Sequence, residues 1–100
     1  MKTFSDLVFK DRAYGDIGAR LKFDNGFTIS VQAGSFNYST PKEALKSPDD
    51  FSAFEVAVFA PNDDWATKQF VPNHHDDVLG WQSRGQINAL MLLIQSKIHA

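Results

Sequence analysis

The clearest candidates for chemistry in this 100-residue chain are four consecutive metal-ligating side chains, His74, His75, Asp76 and Asp77. Adjacent side chains of an extended segment point to opposite sides, so His74 and His75 cannot easily hold one ion together. His74 and Asp76 share a side, and His99 would add a third ligand if the end of the chain folded over them. Because the chain has no Cys and no pair of histidines at helical spacing, we predict a polar loop here, with no metal and no other cofactor.

Nucleophilic catalysis requires a hydroxyl or a thiol that is held against a base. The chain has no Cys, and none of its serines stands in the G-x-S-x-G pattern of a strand-to-helix elbow. Gly15 and Gly18 precede an alternating, strand-like segment rather than a helix, which excludes a phosphate-binding loop at this place. No set of catalytic roles is assembled, so we predict that the protein is not an enzyme.

The charges are spread unevenly along the chain, although the formal net charge is only −2. Residues 43–77 contain eight acids and two lysines, whereas residues 1–42 and residues 78–100 each have a net charge of +2. Six of the eight acids form three pairs in predicted loops, which are Asp49 and Asp50, Asp63 and Asp64, and Asp76 and Asp77. Aspartate is common in loops because its side chain supports turns, and this interpretation stays open.

The functional interpretation of these pairs is an acidic surface that docks on a basic groove of a partner protein. Opposite charges speed association and orient the partners, while an exposed aromatic side chain supplies affinity. Trp65 directly follows one Asp pair, and Tyr38 and Trp81 are further candidate anchors. The predicted partner-binding residues are Asp49, Asp50, Asp63, Asp64, Trp65, Asp76 and Asp77.

Length and composition limit the class of protein. A chain of 100 residues with 43% hydrophobic and 13% aromatic residues is typical of one soluble domain, here residues 1–100. The absence of Cys excludes a disulfide scaffold, and no apolar run is long enough for a membrane span or a signal peptide. A net charge of −2 argues against direct binding of nucleic acid. We therefore expect an intracellular protein that contacts neither membranes nor nucleic acid.

A β-hairpin is the clearest structural element that would position these loops. Apolar and polar residues alternate on both sides of residues 24–26, which is the period of half-buried strands. A three-residue loop pairs Phe23 with Phe27 and keeps the apolar residues of both strands on one face, whereas a two-residue loop would not. Gly26 then takes the left-handed position of the turn.

A second hairpin is predicted from the β-rich residues 53–60 and a return strand at residues 65–71, with Phe59 opposite Trp65. Between the hairpins, residues 40–43 (TPKE) have the pattern of a capping box, which predicts a short helical turn that reaches Leu45. The segment before the first hairpin, residues 4–10, fits either a short helix or an edge strand.

The last segment of the chain predicts a helix. Ser83 and Gln86 form an S-x-x-Q cap, and an apolar stripe follows at Ile87, Leu90, Met91, Ile94 and Ile98. Leu92 and Leu93 broaden this stripe, so only a narrow polar strip meets water, which includes Asn88, Gln95 and Lys97. The predicted fold class is α+β, an antiparallel sheet of four or five strands from two hairpins with the C-terminal helix packed on one face.

Several short runs carry a family resemblance: FDNGF at residues 23–27, EVAV at 55–58, DDVLGW at 76–81 and LMLLIQ at 90–95. With these runs the chain resembles a family of small phage and prophage accessory proteins over residues 17–95. Small phage proteins of this kind include many anti-CRISPR inhibitors. The resemblance implies an inhibitor that binds a host CRISPR–Cas complex in the host cytoplasm, as a monomer or small homo-oligomer, and it assigns no catalytic residue. The alternative is a phage structural protein that self-assembles through a flat, apolar sheet face.

Overall fold

The part of the chain that a computed structural model describes, residues 1–97, contains one antiparallel five-stranded sheet with the strand order β1-β2-β3-β4-β5. The strands are β1 (Lys10–Asp11), β2 (Ile17–Lys22), β3 (Thr28–Ala33), β4 (Phe54–Phe59) and β5 (Leu79–Gln82). The helices are α1 (Thr67–Phe70) and α2 (Arg84–Gln95), and single turns of 3-10 helix lie at Phe4–Asp6, Ala13–Gly15 and Pro48–Asp50. The α+β class is the one that the sequence predicts.

The hairpin of β2 and β3 has the predicted register. Ile17 stands opposite Ala33 at its open end. At the loop, the N–H of Phe23 donates to the carbonyl oxygen of Phe27 at 2.8 Å, which closes a three-residue turn. Gly26 has a φ of 91°, the left-handed conformation that glycine adopts at little cost. The alternation of apolar residues therefore predicts this element correctly.

The second predicted hairpin is confirmed only in part. Phe59 and Trp65 form the expected antiparallel bridge, but the return strand ends there because residues 67–70 form α1. The hydroxyl of Thr67, rather than a strand backbone, accepts the next hydrogen bond from the N–H of Val58 at 3.0 Å. The strand that pairs with β4 is β5, whose four residues show no alternation pattern.

The segment after Thr40 contains no helical turn, so the predicted helix through Leu45 is wrong. Thr40 instead forms a β-bridge with Ala53, in which the N–H of Thr40 donates to the carbonyl oxygen of Ala53 at 3.0 Å. Ser47 caps the 3-10 turn at Pro48–Asp50 instead, since its hydroxyl accepts the N–H of Asp49 at 3.2 Å. A tertiary strand contact has therefore overridden a local helix signal.

The first residues of the chain lie against α2. A 3-10 turn at Phe4–Asp6 precedes β1, so both of the predicted alternatives occur in succession. The N–H of Phe4 donates to Asn88 Oδ1 at 2.7 Å, and Lys2 and Gln95 exchange two hydrogen bonds of 2.8 Å. Two members of the predicted polar strip, Asn88 and Gln95, therefore bind this segment, whereas Lys97 is exposed as predicted.

Helix α2 begins at the predicted cap, where the hydroxyl of Ser83 accepts the N–H of Gln86 at 3.2 Å. Its buried side chains pack on the sheet and are Ile87, Leu90, Met91 and Ile94. Leu92 and Leu93 are each 48% exposed and do not broaden the buried stripe as predicted. The predicted last member of the stripe, Ile98, lies outside the described residues.

The two faces of the sheet differ in what they carry. The core face packs against α2 and consists of buried residues at alternate positions, which include Ile17, Ala19, Ile29, Val31, Ala33, Phe54, Val56, Val58 and Leu79. The opposite face has no helix on it in the described part of the chain, and we call it the uncovered face. It is formed by Lys10, Arg12, Gly18, Arg20, Lys22, Thr28, Ser30, Gln32, Glu55, Ala57, Phe59, Gly80 and Trp81.

Candidate functional site

A tight turn at the end of β4 presents three of the predicted site residues. The N–H of Ala60 donates to the carbonyl oxygen of Asp64 at 2.8 Å, and the N–H of Asp63 donates to the carbonyl oxygen of Ala60 at 2.9 Å. Asp63 has a φ of 70°, which Asp tolerates better than most residues. Trp65 follows with 54% of its surface exposed, and its ring lies 4.8 Å from that of Phe59. An exposed indole therefore directly follows two consecutive aspartates in this turn.

The loop with Asp76 and Asp77 is attached to the same end of the sheet by Thr67. The hydroxyl of Thr67 donates to the carbonyl oxygen of Asp77 at 2.6 Å and accepts the N–H of Val58, and the side chain is fully buried. Lys68 Nζ lies 3.9 Å from Asp77 Oδ1, while Asp76 Oδ1 accepts the N–H of Asp77 at 2.7 Å. We call the surface formed by Asp63, Asp64, Trp65, Asp76 and Asp77 the acidic end.

Asp49 and Asp50 lie at the other end of β4, whose six residues extend over roughly 17 Å. Asp49 Oδ1 is 3.7 Å from the guanidinium of Arg84, which also donates to the carbonyl oxygen of Phe51 at 2.9 Å. Asp50 Oδ2 accepts the N–H of Ser47 at 3.2 Å. The seven predicted residues therefore do not form one surface: five of them make up the acidic end, and Asp49 and Asp50 support a turn elsewhere.

The histidine motif is not organised as a metal site in the described part of the chain. His74 Nε2 lies 2.8 Å from the carbonyl oxygen of Val78, so this ring is engaged with its own loop. Among residues 1–97, no three His, Asp or Glu side chains come together in a way that would hold a metal ion. His99, the third ligand considered from the sequence, lies outside the described residues.

Basic side chains collect on the uncovered face along β1 and β2. Lys10 pairs with Gly18 and therefore shares its face. Arg12 lies across Gly18, where an added Cβ atom would be 2.4 Å from Arg12 Cδ. Arg20 and Lys22 follow at the next alternate positions of β2, and both are exposed. The missing side chain of Gly18 makes room for one of these four cations.

The centre of the uncovered face carries short and polar side chains, and Asn37, from the loop after β3, lies over part of it. Glu55 is the acid that the strand register places on this face, and the side-chain amide of Asn37 donates both to its carboxylate and to Gln32 Oε1. Ser30 and Ala57 pair beside them, and both are small and buried. The aligned strands thus present a floor of short side chains between longer ones.

One aromatic pair, Phe59 and Trp65, borders this floor at the acidic end. Arg20 extends over this aromatic pair, with its guanidinium carbon 4.9 Å from the centre of the Phe59 ring. A guanidinium at this distance from a ring face is attracted by the ring quadrupole. Trp65 therefore belongs to both surfaces, since its bridge with Phe59 turns it toward the uncovered face.

A second aromatic pair borders the floor at β5. A β-bulge sets Gly80 and Trp81 together opposite Glu55, because β5 advances three residues where β4 advances two. Tyr38 packs over Gly80, and its ring lies 5.1 Å from that of Trp81. Tyr38 is 47% exposed and Trp81 is 59% exposed, and Lys42 Nζ stands 5.3 Å from the centre of the Tyr38 ring. All three of the aromatic anchors considered from the sequence are thus accessible.

The uncovered face is not the apolar surface on which the self-assembly alternative was based. Its strand positions hold mostly charged, hydroxyl and amide side chains with two glycines and one alanine, and its aromatic residues lie at the borders. Sequence reasoning also missed its basic character. The available signal was the spacing of two between Lys10 and Arg12 and between Arg20 and Lys22, because alternate residues of a strand share a face.

Comparisons of the chain with protein-family models, with curated proteins and with solved structures found no match. The resemblance to phage accessory proteins stays a prediction. Within residues 1–97, no helix has both the length and the apolar character that crossing a membrane requires.

Proposed function

We propose that this protein is a non-catalytic inhibitor that binds a basic groove of a partner protein through its acidic end. The observation that supports this function most directly is the half-exposed Trp65 beside the carboxylates of Asp63 and Asp64, with Asp76 and Asp77 attached on the adjoining loop. An exposed indole that follows two consecutive aspartates combines an apolar anchor with negative charge. It fits a partner that offers both an apolar pocket and cations.

The indole and the carboxylates contribute differently to such binding. Burial of Trp65 removes a large apolar area from water, so it acts as the anchor that slows dissociation. The carboxylates attract cations before contact and orient the partner, and salt screens this attraction over about 8 Å at physiological ionic strength. Asp77 is partly neutralised by Lys68, so Asp63, Asp64 and Asp76 carry most of the attraction.

The partner that we propose is a host CRISPR–Cas effector complex, which holds its guide and target strands in basic grooves. The partner class follows from the resemblance to phage accessory proteins, and the acidic end supplies the matching chemistry. Blockade of such a groove needs no bond making or breaking and no cofactor. The protein would act in the host cytoplasm, as a monomer or small homo-oligomer.

The test is a binding measurement with a matched pair of variants. The protein is immobilised and presented with a panel of purified CRISPR effector complexes, each loaded with its guide RNA, at 150 mM salt. In Asp63→Asn/Asp64→Asn two carboxylates of the acidic end become amides of the same shape. The control Asp49→Asn/Asp50→Asn makes the same change at the far end of β4. We expect one complex to bind, at least tenfold more weakly to the first variant and within twofold of wild type to the control.

Two outcomes would contradict the proposal. Failure of every effector complex to bind would remove the proposed partner class. Equal losses in the two double variants would show that overall charge, rather than the acidic end, determines affinity.

A further inference from the structure

We infer that the uncovered face of the sheet is a binding surface for single-stranded nucleic acid. This inference is independent of the inhibitor function, because the uncovered face shares only Trp65 with the acidic end. The net charge of −2 argued against binding of nucleic acid. The fold, however, places the basic and the acidic side chains on different surfaces, which the net charge does not show. Four cations and one hydrogen-bonded carboxylate occupy this face, while most of the acids lie in loops.

The cations are placed where a polyanion would cross the sheet. Lys10 lies on β1 opposite Gly18, and Arg12, directly after β1, lies across the same glycine. Arg20 and Lys22 lie on the neighbouring strand β2, about 7 Å apart. The two ion pairs in the described part of the chain are formed by Lys68 and Arg84, so these four cations have no carboxylate partner there. Such a row neutralises phosphates and releases their counterions.

The two aromatic pairs supply ring faces on which nucleic-acid bases can stack. Phe59 and the bulge at Trp81, which is opposite Glu55, are separated by four residues along β4, or about 14 Å. Both pairs have a cation over one ring, Arg20 over Phe59 and Lys42 over Tyr38. Bases stack on aromatic faces regardless of sequence, and a strand of nucleotides that runs along β4 would meet one aromatic pair at each end.

The backbone at Trp81 adds a further argument. Its φ of 53° is in the left-handed region, which is unfavourable for a bulky residue. A glycine or asparagine would adopt this conformation more easily, so the fold tolerates strain to keep an indole that is 59% exposed. Strained residues of this kind concentrate at sites that serve a ligand.

The same features favour a single strand over other polyanions. A duplex keeps its bases stacked inside and offers only phosphates and groove edges, so it would leave the two aromatic pairs unused. An acidic protein segment would pair with the cations but has no series of flat rings to stack. The combination of a basic row and two stacking borders therefore selects unpaired nucleotides.

The experiment uses the tryptophans as reporters, because the chain has only two and both lie on this face. The Trp65→Phe variant leaves Trp81 as the sole indole. Its emission is followed at 50 mM salt during titration with a 15-nucleotide oligo(dT) or oligo(rU), the same oligomer without bases, a duplex of equal length, and polyglutamate. We expect quenching by the two base-containing single strands, and at least tenfold weaker binding of the other three probes.

Charge variants test the row of cations on the wild-type protein by fluorescence anisotropy of the labelled oligonucleotide. Arg12→Gln/Arg20→Gln is expected to weaken binding at least tenfold. It should also reduce the slope of log affinity against log salt by about 1.4, because each phosphate contact on a single strand contributes about 0.7. The control Lys2→Gln/Lys97→Gln removes the same charge on the α2 side and should change affinity less than twofold.

Three results would overturn the assignment. One is the absence of any signal from single strands at 50 mM salt. Another is binding of the base-free oligomer or of polyglutamate as tightly as of oligo(dT), which would reduce the surface to a general polyanion site. The third is equal weakening by the two charge variants, which would locate binding outside the uncovered face. None of these results depends on whether a CRISPR effector complex binds the acidic end.

Discussion

The acidic end and the uncovered face meet at Trp65, yet they are constructed in different ways. The acidic end consists of two loops, and the loop with Asp76 and Asp77 is held to β4 by the buried hydroxyl of Thr67 and by an ion pair of Lys68 with Asp77. The uncovered face consists of strand positions, and backbone hydrogen bonds with neighbouring strands fix each of them. A change at Thr67 can therefore displace the loop with Asp76 and Asp77, whereas the uncovered face loses one side chain at a time. Surfaces of opposite charge on one small domain can thus differ in how easily mutation removes them.

The largest effect is expected at Thr67, whose hydroxyl holds the loop with Asp76 and Asp77. A small effect there would contradict the contrast between the two surfaces. In Thr67→Val the N–H of Val58 and the carbonyl oxygen of Asp77 lose their partner, and each unpaired buried group costs about 1–3 kcal/mol. We expect the free energy of unfolding, measured by urea denaturation, to fall by about 2–4 kcal/mol. The control Thr67→Ser keeps the hydroxyl and should lose only about 1 kcal/mol for the missing methyl group. Similar losses in the two variants would mean that the hydroxyl does not hold the loop.

A smaller effect is expected at Gly80, on the uncovered face. An added Cβ atom would lie 3.0 Å from Tyr38 Cβ, which is attached directly to the backbone and cannot swing away. Gly80→Ala should lower the free energy of unfolding by about 1 kcal/mol and change the emission of Trp81, whose ring stacks on Tyr38. In the control Gly85→Ala, the nearest atom is Ser83 Oγ at 3.9 Å, so this variant should gain up to about 1 kcal/mol from helix propensity. Unchanged stability and emission in Gly80→Ala would contradict the tight packing of the second aromatic pair.

The smallest effect is expected at the turn of the acidic end, where the same substitution at Asp63 and at Asp64 should have opposite results. Asp63 has a positive φ, so Asp63→Gly relieves backbone strain and should raise the free energy of unfolding by about 0.5 kcal/mol. Asp64→Gly removes a carboxylate that accepts the side-chain amide of Asn62 at 3.0 Å and relieves no such strain. Thermal unfolding of the pair should therefore give opposite shifts of the midpoint. Destabilisation by Asp63→Gly would show that its side chain, rather than its backbone, determines the turn.

The sequence predicts the parts of the fold that depend on local pattern. The alternation around Gly26 determines the register of β2 and β3, and the Ser83 cap determines the start of α2. Tertiary partners decide the rest. The return strand that the sequence predicts after Trp65 does not form, because the side-chain hydroxyl of Thr67 binds Val58 and Asp77 where a strand would continue the backbone hydrogen bonds.

The candidate site shows the same division. The Asp pairs and their neighbouring tryptophan are visible as residue types, so the members of the acidic end are found from the sequence. Their grouping is not, because it depends on Thr67 for one loop and on Arg84 for the turn at Asp49. Net charge likewise conceals the uncovered face, since only the strand register shows which charges share a side.

The attachment of α2 also bears on how the chain is synthesised. Asn88 and Gln95 bind Phe4 and Lys2, residues that leave the ribosome long before α2 does. Until α2 follows, the core face of β2, β3 and β4 has no cover, and its valines and isoleucines face solvent. Completion of the core therefore waits for α2, and between the synthesis of β4 and that of α2 the apolar face of the sheet is open to other contacts.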